Sequence, residues 1–92
     1  MMPIYKKAEN VIIEQKDKSR IIISNPVKKT KTVLKDKIDI EIIYPLISED
    51  LLYVEIMTTK LHIHKNRIIS MLKKLEEKGY LVNCTEEYEL FD

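Results

Sequence analysis

Residues 61–82, LHIHKNRIISMLKKLEEKGYLV, carry the clearest structural signal in this chain. Four apolar residues recur there at spacings of three and four, as on one face of an amphipathic helix: Ile68, Met71, Leu72 and Leu75. The polar residues between them fall on the opposite face: Lys65, Asn66, Arg67, Ser70, Lys73 and Lys74. The stretch therefore predicts a helix with one buried face and one face that solvent or a ligand can reach.

Gly79 marks the expected end of that helix and is the only glycine in the sequence. The residue that follows a helix often needs a positive φ, which glycine adopts without the steric cost that a Cβ brings. Tyr80, Leu81 and Val82 come next and have strand-forming side chains. The pattern predicts a helix, a glycine stop and a strand in direct succession.

Residues 72–81, LKKLEEKGYL, resemble the motif L-x-x-L-E-x-K-G-[YL]-[IL] that closes the recognition helix of winged helix-turn-helix regulators, especially those of the MarR group. Residues 56–61 are the counterpart of the short helix before the turn in those proteins, and Ile63 is the counterpart of their apolar turn residue. The resemblance covers roughly residues 50–91. It implies a small α+β winged helix-turn-helix domain in which residues 64–78 form the recognition helix.

Length and composition fit one globular domain without membrane segments. The chain has 92 residues, of which 45% are hydrophobic and 34% charged. Cys84 is the only cysteine, so no internal disulfide can form, and this favours a reducing, cytoplasmic setting. No apolar run has membrane-spanning length, and the start lacks a signal-peptide pattern. Within the domain we expect an N-terminal β-hairpin and basic segment over 1–31, and the winged helix over 32–92.

Charge is distributed unevenly along the chain, although the net charge is only +1. Residues 1–37 hold ten Lys or Arg against four acidic residues, whereas residues 38–92 hold six against eleven. This asymmetry predicts a basic arm joined to a more acidic compact part.

The N-terminal part has a hairpin signal after an irregular or partly extended lead-in over 1–10. Residues 11–14 and 20–23 are β-branched runs separated by the polar stretch QKDKS, which lacks a glycine to form a tight turn. Three consecutive isoleucines, Ile21 to Ile23, place apolar side chains on both faces of the second strand. The outer face could meet a second subunit or pack under the lysine-rich segment that follows.

That lysine-rich segment follows Asn25-Pro26, where proline ends the strand. Its cations are Lys28, Lys29, Lys31, Lys35 and Lys37. They have two interpretations. They form a solvated loop and helix face, or they contact phosphates, where each neutralised phosphate adds salt-dependent affinity without sequence information.

Periodicity leaves residues 33–47 open between strand and helix. Ile38, Ile40 and Ile42 alternate as in a strand, but Leu34, Ile38, Ile42 and Leu46 share a helical face. The family resemblance implies a helix before the helix-turn-helix, which selects a helix over about 35–47, ended or kinked at Pro45. Residues 48–50, Ser-Glu-Asp, then resemble a helix start. Residues 51–61 supply the apolar side of this second helix and any short strand that leads into it.

The end of the chain predicts a wing of unusual charge. Residues 80–82 and 88–91 read as two short strands around a turn over 83–87. The tip of this β-hairpin carries Glu86 and Glu87 and no Lys or Arg. Carboxylates repel phosphates, so we expect this wing to stay out of a DNA groove.

Residues that could support catalysis or metal binding lack the partners such chemistry needs. His62 and His64 straddle the predicted turn and have no third ligand nearby in sequence, so we expect no metal, and His64 caps the recognition helix or contacts a phosphate. Cys84 has no neighbouring base. Tyr80, Tyr88 and Phe91 could stack on bases, but alternate positions in short strands favour core packing. We therefore expect neither an enzyme nor a cofactor.

Together these features predict a homodimeric regulator that binds double-stranded DNA through helix 64–78 in the major groove. Asn and Arg each present two hydrogen-bonding atoms to one base edge, which suits adenine and guanine. The predicted contact residues are His64, Lys65, Asn66, Arg67, Ser70, Lys73, Lys74, Thr59, Lys28, Lys29 and Lys31. The alternative is a winged-helix adaptor that binds another protein in a larger assembly, which the acidic C-terminal half and the apolar hairpin favour.

Overall fold

Two three-stranded antiparallel sheets and a set of helices make up the fold in the computed structural model, which describes residues 2–89. The strands are β1 (Ile4–Lys7), β2 (Ile12–Asp17), β3 (Arg20–Asn25), β4 (Thr30–Leu34), β5 (Leu51–Tyr53) and β6 (Leu81–Asn83). The helices are α1 (Lys37–Ile43), α2 (Pro45–Ser48), α3 (Val54–Leu61), α4 (Lys65–Glu77) and α5 (Thr85–Glu89). The expected α+β class is confirmed.

The first sheet has the order β5-β1-β6, with the N-terminal strand in the middle. Tyr5 pairs with Leu52 of β5 on one side and with Asn83 of β6 on the other. The lead-in predicted as irregular or partly extended is therefore the strand that connects two segments from the C-terminal half. Its position depends on partners 47 and 78 residues away, which no local pattern reveals.

The second sheet has the order β2-β3-β4 and confirms the predicted hairpin. Its first turn forms without glycine because the Asp17 carboxylate accepts hydrogen bonds from the backbone N–H and the hydroxyl of Ser19, each at 2.8 Å. These bonds, the hydroxyl one foremost, hold the pKa of Asp17 below its ordinary value. Arg20 adds an ion pair to the same carboxylate at 3.0 Å. A single aspartate thus supplies the turn chemistry.

The lysine-rich segment departs from the prediction of a loop and helix face, because Thr30–Leu34 is strand β4. It pairs with β3 in the register Ile22 opposite Val33. The segment therefore lies beside the hairpin in the sheet and does not cover its outer face. Ile12 and Val33 are exposed there, and Ile22 between them is half-buried.

One hydrophobic core joins both sheets to the helices. Its members include Ile21 and Ile23 of the second sheet, Ile43 and Leu46 of α1 and α2, and Leu72 of α4. Each side chain is fully buried, so truncating one would cost about 2–5 kcal/mol of stability.

The longest described helix, α4, has 13 residues, and no helix within residues 2–89 has the length and apolar character that crossing a membrane requires.

The predicted helix over 35–47 is confirmed in outline as two helices. α1 begins after Asp36, whose carboxylate accepts hydrogen bonds from the backbone N–H groups of Ile38 and Asp39 at 2.9 and 3.0 Å. It ends at Ile43, and Pro45 is the first residue of α2, where its missing N–H is not needed. Pro45 therefore separates the two helices, as expected for a proline inside a helical pattern.

The helix start predicted at residues 48–50 is wrong. Ser48 ends α2, Glu49 is extended with φ −121° and ψ 156°, and β5 follows. Pairing of β5 with β1 outweighs the local capping signal, because it places Leu52 in the core. The short helix expected over 56–61 is confirmed within α3, which begins at Val54.

The predicted wing hairpin is wrong over its described part, because residues 85–89 form helix α5 instead of a turn and a strand. The Asn83 side chain accepts hydrogen bonds from the backbone N–H and the hydroxyl of Thr85, which favours a helix start. The Thr85 hydroxyl also accepts from the N–H of Ile4 at 3.0 Å, which attaches α5 to β1. Residues 90 and 91 of the predicted strand lie outside the described residues.

Candidate nucleic-acid interface

The outward face of α4 brings together most of the residues predicted to contact DNA. The helix buries Ile68, Met71, Leu72 and Leu75, which confirms the predicted apolar face. Its exposed side chains are Lys65, Asn66, Arg67, Ser70, Lys73, Lys74 and Glu77. Positions 66, 70, 73 and 77 run along the middle of that surface because residues three and four apart are neighbours on a helix. We call this surface the α4 outer face.

The turn between α3 and α4 is short and held at both ends. His62 ends α3 with φ 56° and ψ 38°, a left-handed conformation that is uncommon for residues other than glycine. His64 is the N-cap of α4, and its Nδ1 accepts a hydrogen bond from the N–H of Asn66 at 3.1 Å. The predicted capping role of His64 is therefore confirmed. Between them Ile63 packs against the core, which fixes how α4 leaves the turn.

Electrostatics at the start of α4 are unusual for a helix. Its first turn holds Lys65, Asn66 and Arg67 and no acidic residue. The N-terminal end of a helix carries a partial positive charge, so cations there cost stability, whereas acids would contribute about 0.3–1 kcal/mol each. An anion placed at this end would meet Lys65 and the positive pole of the helix, but the N–H groups of Asn66 and Arg67 already donate to His64. The charges of the first turn thus oppose the helix dipole, whereas the His64 cap supports the start of the helix.

Arg67 is held in an ion-pair network that the sequence did not predict. Its Nη2 lies 2.6 Å from Oδ1 of Asp39 and 3.6 Å from Oδ1 of Asp36. These two carboxylates belong to the start of α1, so Arg67 connects α1 to α4. The guanidinium can approach a base only if this pairing opens. Exposed ion pairs contribute about 0–1 kcal/mol, so the opening costs little.

Thr59 lies on α3, the helix before the turn, and is exposed. Its hydroxyl donates a hydrogen bond to the backbone carbonyl of Glu55 at 3.3 Å. A phosphate accepts hydrogen bonds, so Thr59 would have to give up this bond to contact one. Its predicted role as a phosphate contact therefore depends on a rotation of the side chain.

The lysine-rich segment reaches α4 at its C-terminal end, far from the first turn. Nζ of Lys28 lies 3.3 Å from the position that a Cβ would take on Gly79. A cation at this end complements the negative pole of the helix dipole. Lys31 lines a shallow hollow of about 450 Å³ beside Lys78. Lys29 follows Lys28 in the turn before β4, where it is exposed and has a φ of 57°.

Two positive regions therefore lie at opposite ends of α4, about 20 Å apart for 13 residues. One is the first turn with Lys65 and Arg67, and the other holds Lys28, Lys31 and Lys78. Lys73 and Lys74 lie on the helix between these two regions.

Acidic residues lie on α5 instead of a wing tip. Glu86 and Glu87 are exposed in its first turn, where acids suit the helix dipole. Glu87 forms an ion pair with Lys6 of β1 at 3.3 Å. The segment after β6 therefore offers no cation that could bind a phosphate within the described residues.

Cys84 and Tyr80, which the sequence also singled out, are both buried. Cys84 is buried, and burial, with Glu87 adding to it, raises the pKa of its thiol, the opposite of what a nucleophile requires. Tyr80 is buried as well, and its hydroxyl shares a hydrogen bond of 3.0 Å with the Thr32 hydroxyl. Its predicted packing role is confirmed. Among residues 2–89 no three His, Cys, Asp or Glu side chains cluster as a metal site would require.

Sequence reasoning missed Asp36, Asp39 and Lys78 as neighbours of the site. Asp36 directly precedes α1, and an aspartate before an apolar periodic segment is a helix-start signal. That signal could have located the cap. It could not have located the pairing with Arg67, which joins residues separated by 28 positions.

Comparisons with protein-family models, curated proteins and solved structures found no match to this chain. The resemblance to winged helix-turn-helix regulators therefore stays a prediction from residues 50–91.

Proposed function

We propose that this protein is a homodimeric transcription regulator of winged-helix type that binds double-stranded DNA with α4 in the major groove. The α3–turn–α4 arrangement supports this proposal, because α3 and the core hold one side of α4 and leave its outer face open. In helix-turn-helix proteins the N-terminal residues of the second helix approach the base edges.

The observation that carries the proposal is the first turn of α4. Lys65 and Arg67 lie at the positive pole of the helix, where the stability of the helix alone would favour acids. Local rules of this kind are broken mainly at functional sites. Arg67 already has Asp39 as a partner, whereas Lys65 has no ion pair within residues 2–88, and DNA would supply the negative charge that Lys65 faces.

The residues of the α4 outer face then divide into two roles. Lys65 and Asn66 approach base edges, with Asn66 suited to adenine through two hydrogen bonds. Arg67 is suited to guanine once its pairing with Asp39 opens. Ser70 makes a shorter base or phosphate contact, and Lys73 and Lys74 bind phosphates.

No wing follows β6 over the described residues in this proposal, because residues 85–89 form helix α5. β6 is an edge strand whose partner is β1. Contacts beyond the major groove therefore come from Lys28, Lys29 and Lys31 at the other end of α4. These phosphate contacts add affinity without sequence preference.

The test is a titration of the full chain into random duplex DNA at two salt concentrations. A double variant, Lys73→Ala with Lys74→Ala, should bind more weakly and lower the slope of log affinity against log salt by about 1.8, since each phosphate contact contributes about 0.9. The matched control removes Lys16 and Lys18 of the β2–β3 hairpin and should leave the slope unchanged.

Two outcomes contradict the proposal. If the wild-type chain does not bind duplex DNA at low salt, the DNA function is wrong, and the protein-adaptor alternative replaces it. If the control variant loses as much binding as the α4 variant, positive charge anywhere on the surface is sufficient and α4 has no special role.

A further inference from the structure

A groove with apolar and polar walls runs between α1–α2 and α3, on a part of the surface that the DNA proposal does not use. It consists of two adjoining hollows of about 370 and 200 Å³. Both hollows are lined by Tyr44, Pro45, Met57 and Lys60. No residue of α4 lines either of them.

The side chains around this groove are unusually exposed for their type. Ile56 is 57% exposed, Tyr44 is 51% exposed and Tyr53 is 38% exposed. Aromatic residues that border a hollow are typical of the central contacts in protein interfaces. Tyr44 lines both hollows, so its exposed side chain stands directly beside space that a side chain of a partner could fill.

Charges of both signs border the groove. Lys60 lines both hollows, Glu49 lines the larger one and Glu41 the smaller one. None of the three forms an ion pair with any other of residues 2–88. A purely basic or purely acidic partner would meet a like charge here. A second copy related by a two-fold rotation would place its Lys60 against Glu41 or Glu49 of the first copy. Its own glutamates would then face Lys60 of the first copy.

We propose that this groove is the two-fold interface between two copies of this chain. Tyr44 and Ile56 of each copy fill the hollows of the other, and Lys60 pairs with Glu41 or Glu49 across the axis. This inference rests on the homodimer in the proposed function and names the surface that forms it. Because α4 lies outside the groove, both α4 outer faces stay open in the dimer.

The outer face of the second sheet is the rival surface, with Ile12, Ile22 and Val33. It also carries Glu14, Ser24 and Lys31, which share this face by their register, and it borders neither hollow of the groove. An isologous contact needs the same patch to be complementary to itself. We favour the groove because it combines projecting side chains, adjoining hollows and charges of both signs.

The test measures the molar mass of the full chain in solution, without DNA, over a range of protein concentrations. The monomer mass is 10.9 kDa, and the wild type should reach twice that value. Ile56→Glu should raise the dissociation constant of the dimer by roughly tenfold or more. Val33→Glu is the matched control, since it places the same charge on the rival face, and it should remain dimeric.

A charge exchange tests the two-fold pairing directly. Lys60→Glu makes the border of the groove uniformly acidic and should dissociate the dimer. Adding Glu41→Lys and Glu49→Lys to that variant inverts every charge and should restore the dimer mass. All three positions lie at the surface, and circular dichroism checks that each variant stays folded.

Three results would overturn the inference: a monomeric wild type at all concentrations, a dimer that survives Ile56→Glu, or a dimer lost through Val33→Glu alone. The last result would assign the interface to the second sheet. Because no DNA is present, failure here is distinguishable from failure of DNA binding, which the salt titration measures separately.

Discussion

Tyr5 shows how a single buried group limits the stability of this fold. Its side chain is fully buried in β1, and its hydroxyl has no hydrogen-bond partner among residues 2–89. Leaving a buried hydroxyl unpaired costs about 1–3 kcal/mol. Burial raises the pKa of this phenol, the nearby Glu76 raises it further, and the Asn83 side chain opposes them without reaching hydrogen-bond geometry.

We therefore predict that Tyr5→Phe raises the free energy of unfolding by about 1 kcal/mol, measured by urea denaturation at pH 7. The raised pKa adds a pH dependence. The contribution of the raised pKa to the free energy of unfolding is fully present below the phenol pKa of the unfolded chain, near 10. It is lost as pH rises through the higher pKa of Tyr5 in the folded chain. Tyr5→Phe should lack this alkaline loss.

Tyr88→Phe serves as the control, because Tyr88 is exposed on α5 and lies outside the groove, so its change should leave the free energy of unfolding unaltered. A lower stability of Tyr5→Phe would show that the hydroxyl has a partner after all, such as a bound water.

At the scale of the element, α4 combines a well-packed inner face with unfavourable charges at its start. We predict that Lys65→Glu stabilises the fold by about 0.3–1 kcal/mol, because an acid then lies at the positive pole of the helix. The same variant should bind DNA more weakly, since it replaces a cation at the interface by a carboxylate that negatively charged DNA repels. Urea denaturation and the salt titration measure the two effects.

Lys74→Glu is the matched variant for this prediction. It makes the same change of charge on the same helix, but in the last turn, where cations are favourable. It should therefore destabilise the fold while also weakening DNA binding. Equal stability effects of the two variants would contradict the dipole argument, and unchanged DNA binding by Lys65→Glu would remove Lys65 from the interface.

At the scale of the whole molecule, the groove and the α4 outer face are separate surfaces. A two-fold dimer through the groove presents two α4 helices related by the same axis. We predict that duplexes selected from a random pool contain two inverted half-sites about 34–36 Å, or a multiple of that distance, apart. Sequencing of the selected pool measures this spacing.

Ile56→Glu should abolish the preference for paired half-sites and retain weak binding to a single half-site, because the variant keeps α4 intact. An asymmetric selected sequence with one half-site would contradict the two-fold arrangement.

What the sequence determined is local. The spacing of Ile68, Met71, Leu72 and Leu75 predicted α4, and Gly79 after it has the expected φ of 85°. The hairpin of β2 and β3 and the break at Pro45 were also predictable. In each case the residues that carry the sequence signal lie within a few positions of the element that they predict. Backbone geometry and the spacing of apolar residues therefore determine the element locally.

What only the tertiary structure decided depends on distant partners. β1 enters the middle of the first sheet, β4 extends the second, and α5 replaces the predicted wing. Arg67 meets Asp39 across 28 residues, and the groove exists only where α1–α2 and α3 pack together. A short strand or an exposed charge has little local preference of its own. Its structure and its contacts are set by the hydrogen bonds and buried area that distant segments provide.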